Sequence, residues 1–147
     1  MTVTLKIKKL TDKAIVPTYG TQFSAGADLC NAEEAPVVVE PGETRLVHTG
    51  LSFEIPEGCV GLIFARSGLA SKRGLAPANK VGVIDSDYRG EVMVSLFNQS
   101  SLTQTIEYGD RIAQIAIVPF IKAQFELADE LSDTVRGDGG FGSTGTK

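Results

Sequence analysis

Apolar and polar residues alternate with a period of two along stretch after stretch of this chain, and that pattern restricts the fold more than any other feature. Val3, Leu5 and Ile7 interleave with Thr4, Lys6 and Lys8, and the arrangement returns at Leu51, Phe53 and Ile55 and again at Val92, Val94 and Leu96. Successive side chains of a strand point to opposite faces, so such segments read as half-buried strands. Further extended segments are predicted at 36–40, 44–49, 59–65, 81–84, 111–118 and 121–127. They are parted by turn formers at Pro41-Gly42, Pro56-Glu57-Gly58, 98–101 and Gly109-Asp110. Many short strands imply a sandwich, jelly roll or barrel. One short helix is predicted near 68–73, with Ser67 as its N-cap, Lys72 and Arg73 in its last turn, and Gly74 at the C′ position. Its N-terminus is a natural place for an anion.

A chain of 147 residues suits one domain with a real core, and 22 prolines and glycines among them fit a turn-rich β protein. The net charge of −4 argues against a broad nucleic-acid-binding face, so an anionic ligand must be held locally. No apolar run is long enough to cross a bilayer, and MTVTLKIKKL lacks the apolar centre of a signal peptide, so no membrane association and a cytoplasmic location are expected. Cys30 and Cys59 are too few to scaffold a domain and are read as reduced. With His48 the only histidine, neither a histidine-based metal site nor a Ser-His-Asp triad can be assembled within one chain. A metal would need oxygen ligands, and Mg²⁺ carried mainly by substrate phosphates fits.

Chemistry-bearing residues gather in a few segments. In GVIDSDYRG at 82–90, Asp85 closes a predicted strand and reads as a buried carboxylate on a rigid support, suited to a general base. Tyr88 offers a flat ring against which a pentose can pack with no room for a 2′-hydroxyl. Alone, these would be a turn Asp and a core-edge aromatic, and Arg89 and Gly90 read as a charge partner and a turn. In ARSGLASKRG at 65–74, Arg66 supplies a delocalised cation, Ser67 a hydroxyl and Gly68 an unobstructed backbone N–H, together a phosphate cradle. Gln114, in GDRIAQIAI, falls on the face opposite Ala113, Ile115 and Ile117 and can orient phosphate or water. The tail RGDGGFGSTG at 136–145 brings Arg136 for a terminal phosphate, Phe141 for base stacking, and Gly142, Ser143 and Thr144 as a strip of donors. Its GxGxxG spacing is not a Rossmann turn, since no helix can follow, and Ser143 stands where a P-loop needs lysine.

In order, AGADL at 25–29, RSG at 66–68, GVIDSDYRG at 82–90, GDRIAQ at 109–114 and RGDGGFGSTG at 136–145 closely resemble the five motifs of the homotrimeric dUTPases. The resemblance implies an all-β fold, a jelly-roll-like distorted β-barrel with one short helix and a flexible Gly-rich C-terminal tail. It implies a barrel over 1–135 and a lid over 136–147 of the same domain. It implies hydrolysis of dUTP to dUMP and pyrophosphate, which keeps uracil out of DNA and supplies dUMP for dTMP synthesis, at sites shared between the subunits of a homotrimer. Carried over by motif, Asp85 activates the water that attacks the α-phosphorus, Tyr88 underlies the deoxyribose, and Asn79 reads uracil. Arg66, Ser67, Gly68 and Gln114 hold phosphates, and Asp28 meets Mg²⁺ indirectly through its waters. From another subunit, Phe141 closes over uracil while Arg136, Gly142, Ser143 and Thr144 close on the phosphates.

Two other functions compete. A dCTP deaminase-like enzyme of the same fold needs an acid/base carboxylate on the strand after the hairpin, where Ser95 stands, so deamination would lack its proton shuttle. A nucleotide-sensing interaction module would keep the pocket and signal through a partner; Asp85, Gln114 and the tail argue for turnover.

Overall fold

The structure, a computed structural model, describes residues 3–140. Among them are eleven strands and one helix: β1 (Lys6–Lys9), β2 (Thr18–Tyr19), β3 (Ala27–Cys30), β4 (Val37–Val39), β5 (Thr44–Glu54), β6 (Cys59–Phe64), α1 (Ser67–Arg73), β7 (Leu75–Pro77), β8 (Gly82–Ile84), β9 (Val92–Asn98), β10 (Gln104–Ile106) and β11 (Arg111–Pro119). All pairings are antiparallel, giving a four-stranded sheet β1-β5-β9-β7, a five-stranded sheet β2-β3-β11-β6-β8 and the pair β10-β4. The all-β expectation holds. Among the described residues the sheets do not join into a closed barrel; they share one apolar interior in jelly-roll fashion.

Alternation builds that interior directly. In β9 every second residue, Val92, Val94, Leu96 and Asn98, is buried. Leu29 of β3, Val47 and Phe53 of β5, Ile63 of β6 and Ile115 of β11 meet them in a single cluster. Truncating a fully buried member such as Leu96 costs about 2–5 kcal/mol by lost transfer energy and cavity formation. Asn98, fully buried, has its amide nitrogen donating to the carbonyls of Val39 and Leu102 while its oxygen accepts from the Ser100 backbone N–H, so the polar group is satisfied.

Three local expectations change. The segments 44–49 and 51–55 are one strand, β5, because a register shift between His48 and Leu51 lets it continue past Gly50. Gly50 has φ 66°, and a Cβ there would lie 2.9 Å from that of Ala14, so both its backbone and its surroundings require glycine. The helix begins one residue early: Arg66 is the N-cap with no side-chain cap, so the Ser67 hydroxyl is not spent on capping, while Gly74 at φ 67° ends the helix as expected. The segment 121–127 alternates as a strand should yet pairs with nothing among the described residues. Both sides of β11 are already occupied, by β3 and β6, and after Pro119 the chain leaves the sheet with Ile121, Phe125 and Leu127 almost fully exposed.

Candidate functional site: an arginine-lined cleft and a projecting turn

Asp28 on β3 lies directly across from Gln114 on β11, and Gln114 across from Phe64 at the end of β6. That register sets Asp28 of the first motif beside Gln114 of the fourth in the five-stranded sheet, with the second motif following just beyond the end of β6. Asp28 is nearly enclosed. Its Oδ1 accepts from Arg66 Nε at 2.8 Å and its Oδ2 from Arg111 Nη1 at 3.1 Å. Two guanidiniums about one carboxylate leave a net positive charge. Because Arg66 is gripped through Nε, its two terminal nitrogens have no hydrogen-bond partner among the described residues and form a fork suited to phosphate.

These side chains line a cleft of about 460 Å³ with Ser67, Gly68 and Gln114. Gln114 Nε2 donates to the Ala65 carbonyl at 3.0 Å, fixing the amide, and its Oε1 lies above Gly26, where a Cβ would come within 2.9 Å. The space over Gly68 is open: a Cβ there would meet nothing within 4 Å, so a ligand can reach its backbone. The cleft is preorganised by contacts within one chain.

Asn79, Asp85 and Tyr88 are held elsewhere, on the connection from β7 through β8 to β9, and do not line this cleft. The turn at 78–81 crosses from one large sheet to the other, with Lys80 at φ 66° and its N–H donating to the Pro77 carbonyl. Asp85 follows directly on β8, so its support is the strand that was expected. Its burial is not: the residue is exposed, because β8 is an edge strand and the turn beyond it projects outward. The Tyr88 N–H donates to the Asp85 carbonyl at 3.2 Å, and the Tyr88 hydroxyl to the Glu91 carbonyl at 2.9 Å. Arg136 lies in an exposed turn, its Nε donating to the Gly139 carbonyl at 2.7 Å, away from the cleft. Phe141, Gly142, Ser143 and Thr144 lie outside the described residues.

The dUTPase family model matches residues 12–145, nearly the whole chain and all five motifs. The chain belongs to the dUTPase family. It is 50% identical, over 96% of its length and 98% of the other's, to a deoxyuridine 5′-triphosphate nucleotidohydrolase of Nautilia profundicola. Its fold superimposes on a mutant Staphylococcus bacteriophage 80alpha dUTPase with dUpNHpp at a TM-score of 0.87 and 31% identity, covering 99% of this chain and 100% of that one. A mutant dUTPase of phage phi11 of S. aureus, whose structure describes a structural Mg(II) ion, superimposes at 0.81 and 29% identity over 89% and 100% of the two chains.

Among the described residues no three histidine, cysteine, aspartate or glutamate side chains cluster, and both carboxylate oxygens of Asp28 already accept from arginine. With both oxygens engaged in this way, Asp28 has little capacity left to ligate a metal ion directly. No described helix is long and apolar enough to cross a membrane.

Arg111 is the site residue that sequence reasoning missed. Strict alternation from Gln114 places it on the core face, three residues away. A bulge between Arg111 and Ala113 shifts the phase, so that Arg111 pairs with Cys30 and shares the face of Asp28 and Gln114. The odd signal was an arginine in phase with buried Ala113 and Ile115, a position a strand without a bulge would not tolerate.

Proposed function

We infer that this chain is a dUTP diphosphatase, hydrolysing dUTP to dUMP and pyrophosphate by attack of water on the α-phosphorus. The observation that carries this reading is the positive Asp28–Arg66–Arg111 cleft, built from motif residues of a dUTPase-family chain. Arg66, Ser67, Gly68 and Gln114 bind the phosphates. Asp85 takes a proton from the attacking water. Tyr88 packs under the deoxyribose, and Asn79 on the neighbouring turn meets uracil. Mg²⁺ bound by the triphosphate would neutralise its charge, with Asp28 in contact through water. The tail supplies Arg136, Phe141, Gly142, Ser143 and Thr144 over the substrate and excludes bulk water.

Two features support sites shared between copies of the chain, as the homotrimer of this reading requires. The cleft of a single chain lacks Asp85, Tyr88 and Asn79, so a second copy must bring its hairpin to complete the constellation. The segment beyond Pro119 carries an alternating Ile121-Ala123-Phe125-Leu127 face that its own domain leaves in solvent, and another chain can cover it. Two free thiols, Cys30 and Cys59, suit a reducing cytoplasm.

Pyrophosphate release from dUTP, compared between the parent and Asp85→Asn, tests the assignment. The variant should lose about 10²–10⁴-fold in kcat, the usual contribution of a positioned general base. Undiminished turnover by Asp85→Asn would remove Asp85 from that role, and ammonia release from dCTP would point to deamination instead.

A further inference from the structure

Gly90 has no conformational reason to be glycine. Its φ lies outside the left-handed region, so an L side chain suits the backbone there. What forbids a side chain is Tyr88. A Cβ at position 90 would sit 2.6 Å from Tyr88 Cζ, 2.9 Å from Cε2 and closer still to the hydroxyl. The tyrosine therefore folds back over the bare glycine backbone, with its hydroxyl donating to the Glu91 carbonyl at 2.9 Å. Its other side stays open, and the residue is 42% exposed.

The acceptor is itself anchored. Glu91 turns its carboxylate into the β5 bulge, where Oε1 accepts from the Gly50 N–H at 2.8 Å and Oε2 meets His48 Nδ1 at 2.9 Å. Ser52, one step further along β5, donates its hydroxyl to the Arg89 carbonyl at 2.7 Å. The backbone on both sides of Gly90 is thus tied to β5, and the ring rests on a fixed surface.

We propose that Gly90 and the Glu91 carbonyl are the positioning elements that set the height and tilt of the Tyr88 ring, and so set discrimination between deoxyribonucleotide and ribonucleotide triphosphates. The inference rests on the reading of Tyr88 as the sugar platform. A ring held flat against the hairpin leaves room for a deoxyribose and none for a 2′-hydroxyl. A methyl group at position 90 displaces the ring and breaks its hydrogen bond to Glu91, so the ring tilts out of place, deoxyribose packs less well against it and space opens for a 2′-hydroxyl. Because the clash is with the far end of a side chain that can swing, the alanine variant keeps its backbone.

The test compares kcat/KM for dUTP and for UTP in the parent, Gly90→Ala, Tyr88→Phe, Tyr88→Ala and the Gly90→Ala/Tyr88→Ala double variant, with thermal transitions for each. Gly90→Ala should lower the dUTP-to-UTP ratio about tenfold, and Tyr88→Phe, which lacks only the hydroxyl, should lower it by less. In the Tyr88→Ala background Gly90→Ala should change the ratio no further, since the glycine acts through the ring. A purely structural glycine would instead lower the melting temperature in both backgrounds and leave the ratio alone, which overturns the proposal. An unchanged ratio in Gly90→Ala beside a lowered one in Tyr88→Ala overturns the role of Gly90 while sparing the sugar platform. An unchanged ratio in Tyr88→Ala removes the platform itself. If Gly90→Ala does not fold, Tyr88→Phe decides, and a ratio equal to the parent's overturns the role of the carbonyl.

Discussion

The cleft around Asp28 and the segment beyond Pro119 leave the same sheet and meet opposite fates. Asp28, Arg66, Arg111 and Gln114 sit on or beside paired strands, and every one of them is tied to another element of the same chain. Residues 121–127 alternate as faithfully as any strand of the interior, yet Phe125 and Leu127 lie almost wholly in solvent. Period two therefore reports that a segment is made to be covered on one face. It does not report which chain does the covering. The contacts of the cleft are made within one chain, whereas the alternating face of the segment has no partner among the described residues.

Breaking the far end of that comparison should have the largest effect. Truncation after Val135 removes the proposed lid but no residue of the interior, so kcat for dUTP should fall roughly 10²-fold or more, while the thermal transition and the oligomer size by gel filtration stay those of the parent. A collapsed transition would mean the tail belongs to the fold.

Asp28→Asn sharpens the near end. It leaves Arg66 and Arg111 facing each other without their shared anion and unfixes the phosphate fork. KM for dUTP should rise about tenfold, with about 1–2 kcal/mol of stability lost in denaturant unfolding. A parental KM would show that Arg66 is held without Asp28.

The smallest effect concerns the strut under the hairpin. The hydrogen bond to Glu91, ahead of the charge of the same group, raises the His48 pKa above its ordinary value near 6.5 although burial opposes it. A raised folded-state pKa means that the pair's stabilisation is complete below the unfolded value and is lost as pH rises through the folded one. The imidazole is half exposed, so the contribution is a few tenths of a kcal/mol, screened by salt. His48→Gln should therefore destabilise more at pH 5.5 than at pH 8.5. Equal losses at both would mean that the protonated pair contributes nothing.

Legibility in the sequence followed the range of the interactions involved. Strands of six or more residues announce themselves, as β9 does with four buried positions in seven. Among the strands of two to four residues, β1, β4 and β8 lie in predicted extended segments with apolar positions, whereas β2, β3, β7 and β10 lie outside the predicted segments. Turn chemistry is equally local, so Gly74 could be placed as the helix terminator from the residues around it. Arg111 left only an indirect mark, a charge in phase with buried Ala113 and Ile115, because a bulge is a mismatch between two strands and its place is set by their pairing. The burial expected of Asp85 failed for a related reason: whether a strand end is enclosed depends on its position in the sheet, and β8 lies at an edge.

From the sequence alone came the β class, the motif order and the residue types able to handle a triphosphate, since alternation, turn formers and side-chain chemistry are properties of neighbours in the chain. Only the tertiary structure decided that Asp28 locks two arginines, that Gly90 is empty for the sake of a tyrosine ring, and that the hairpin and the cleft do not meet within one chain. Those facts depend on register, bulges and sheet edges, which exist only when residues far apart in sequence are brought within a few ångströms.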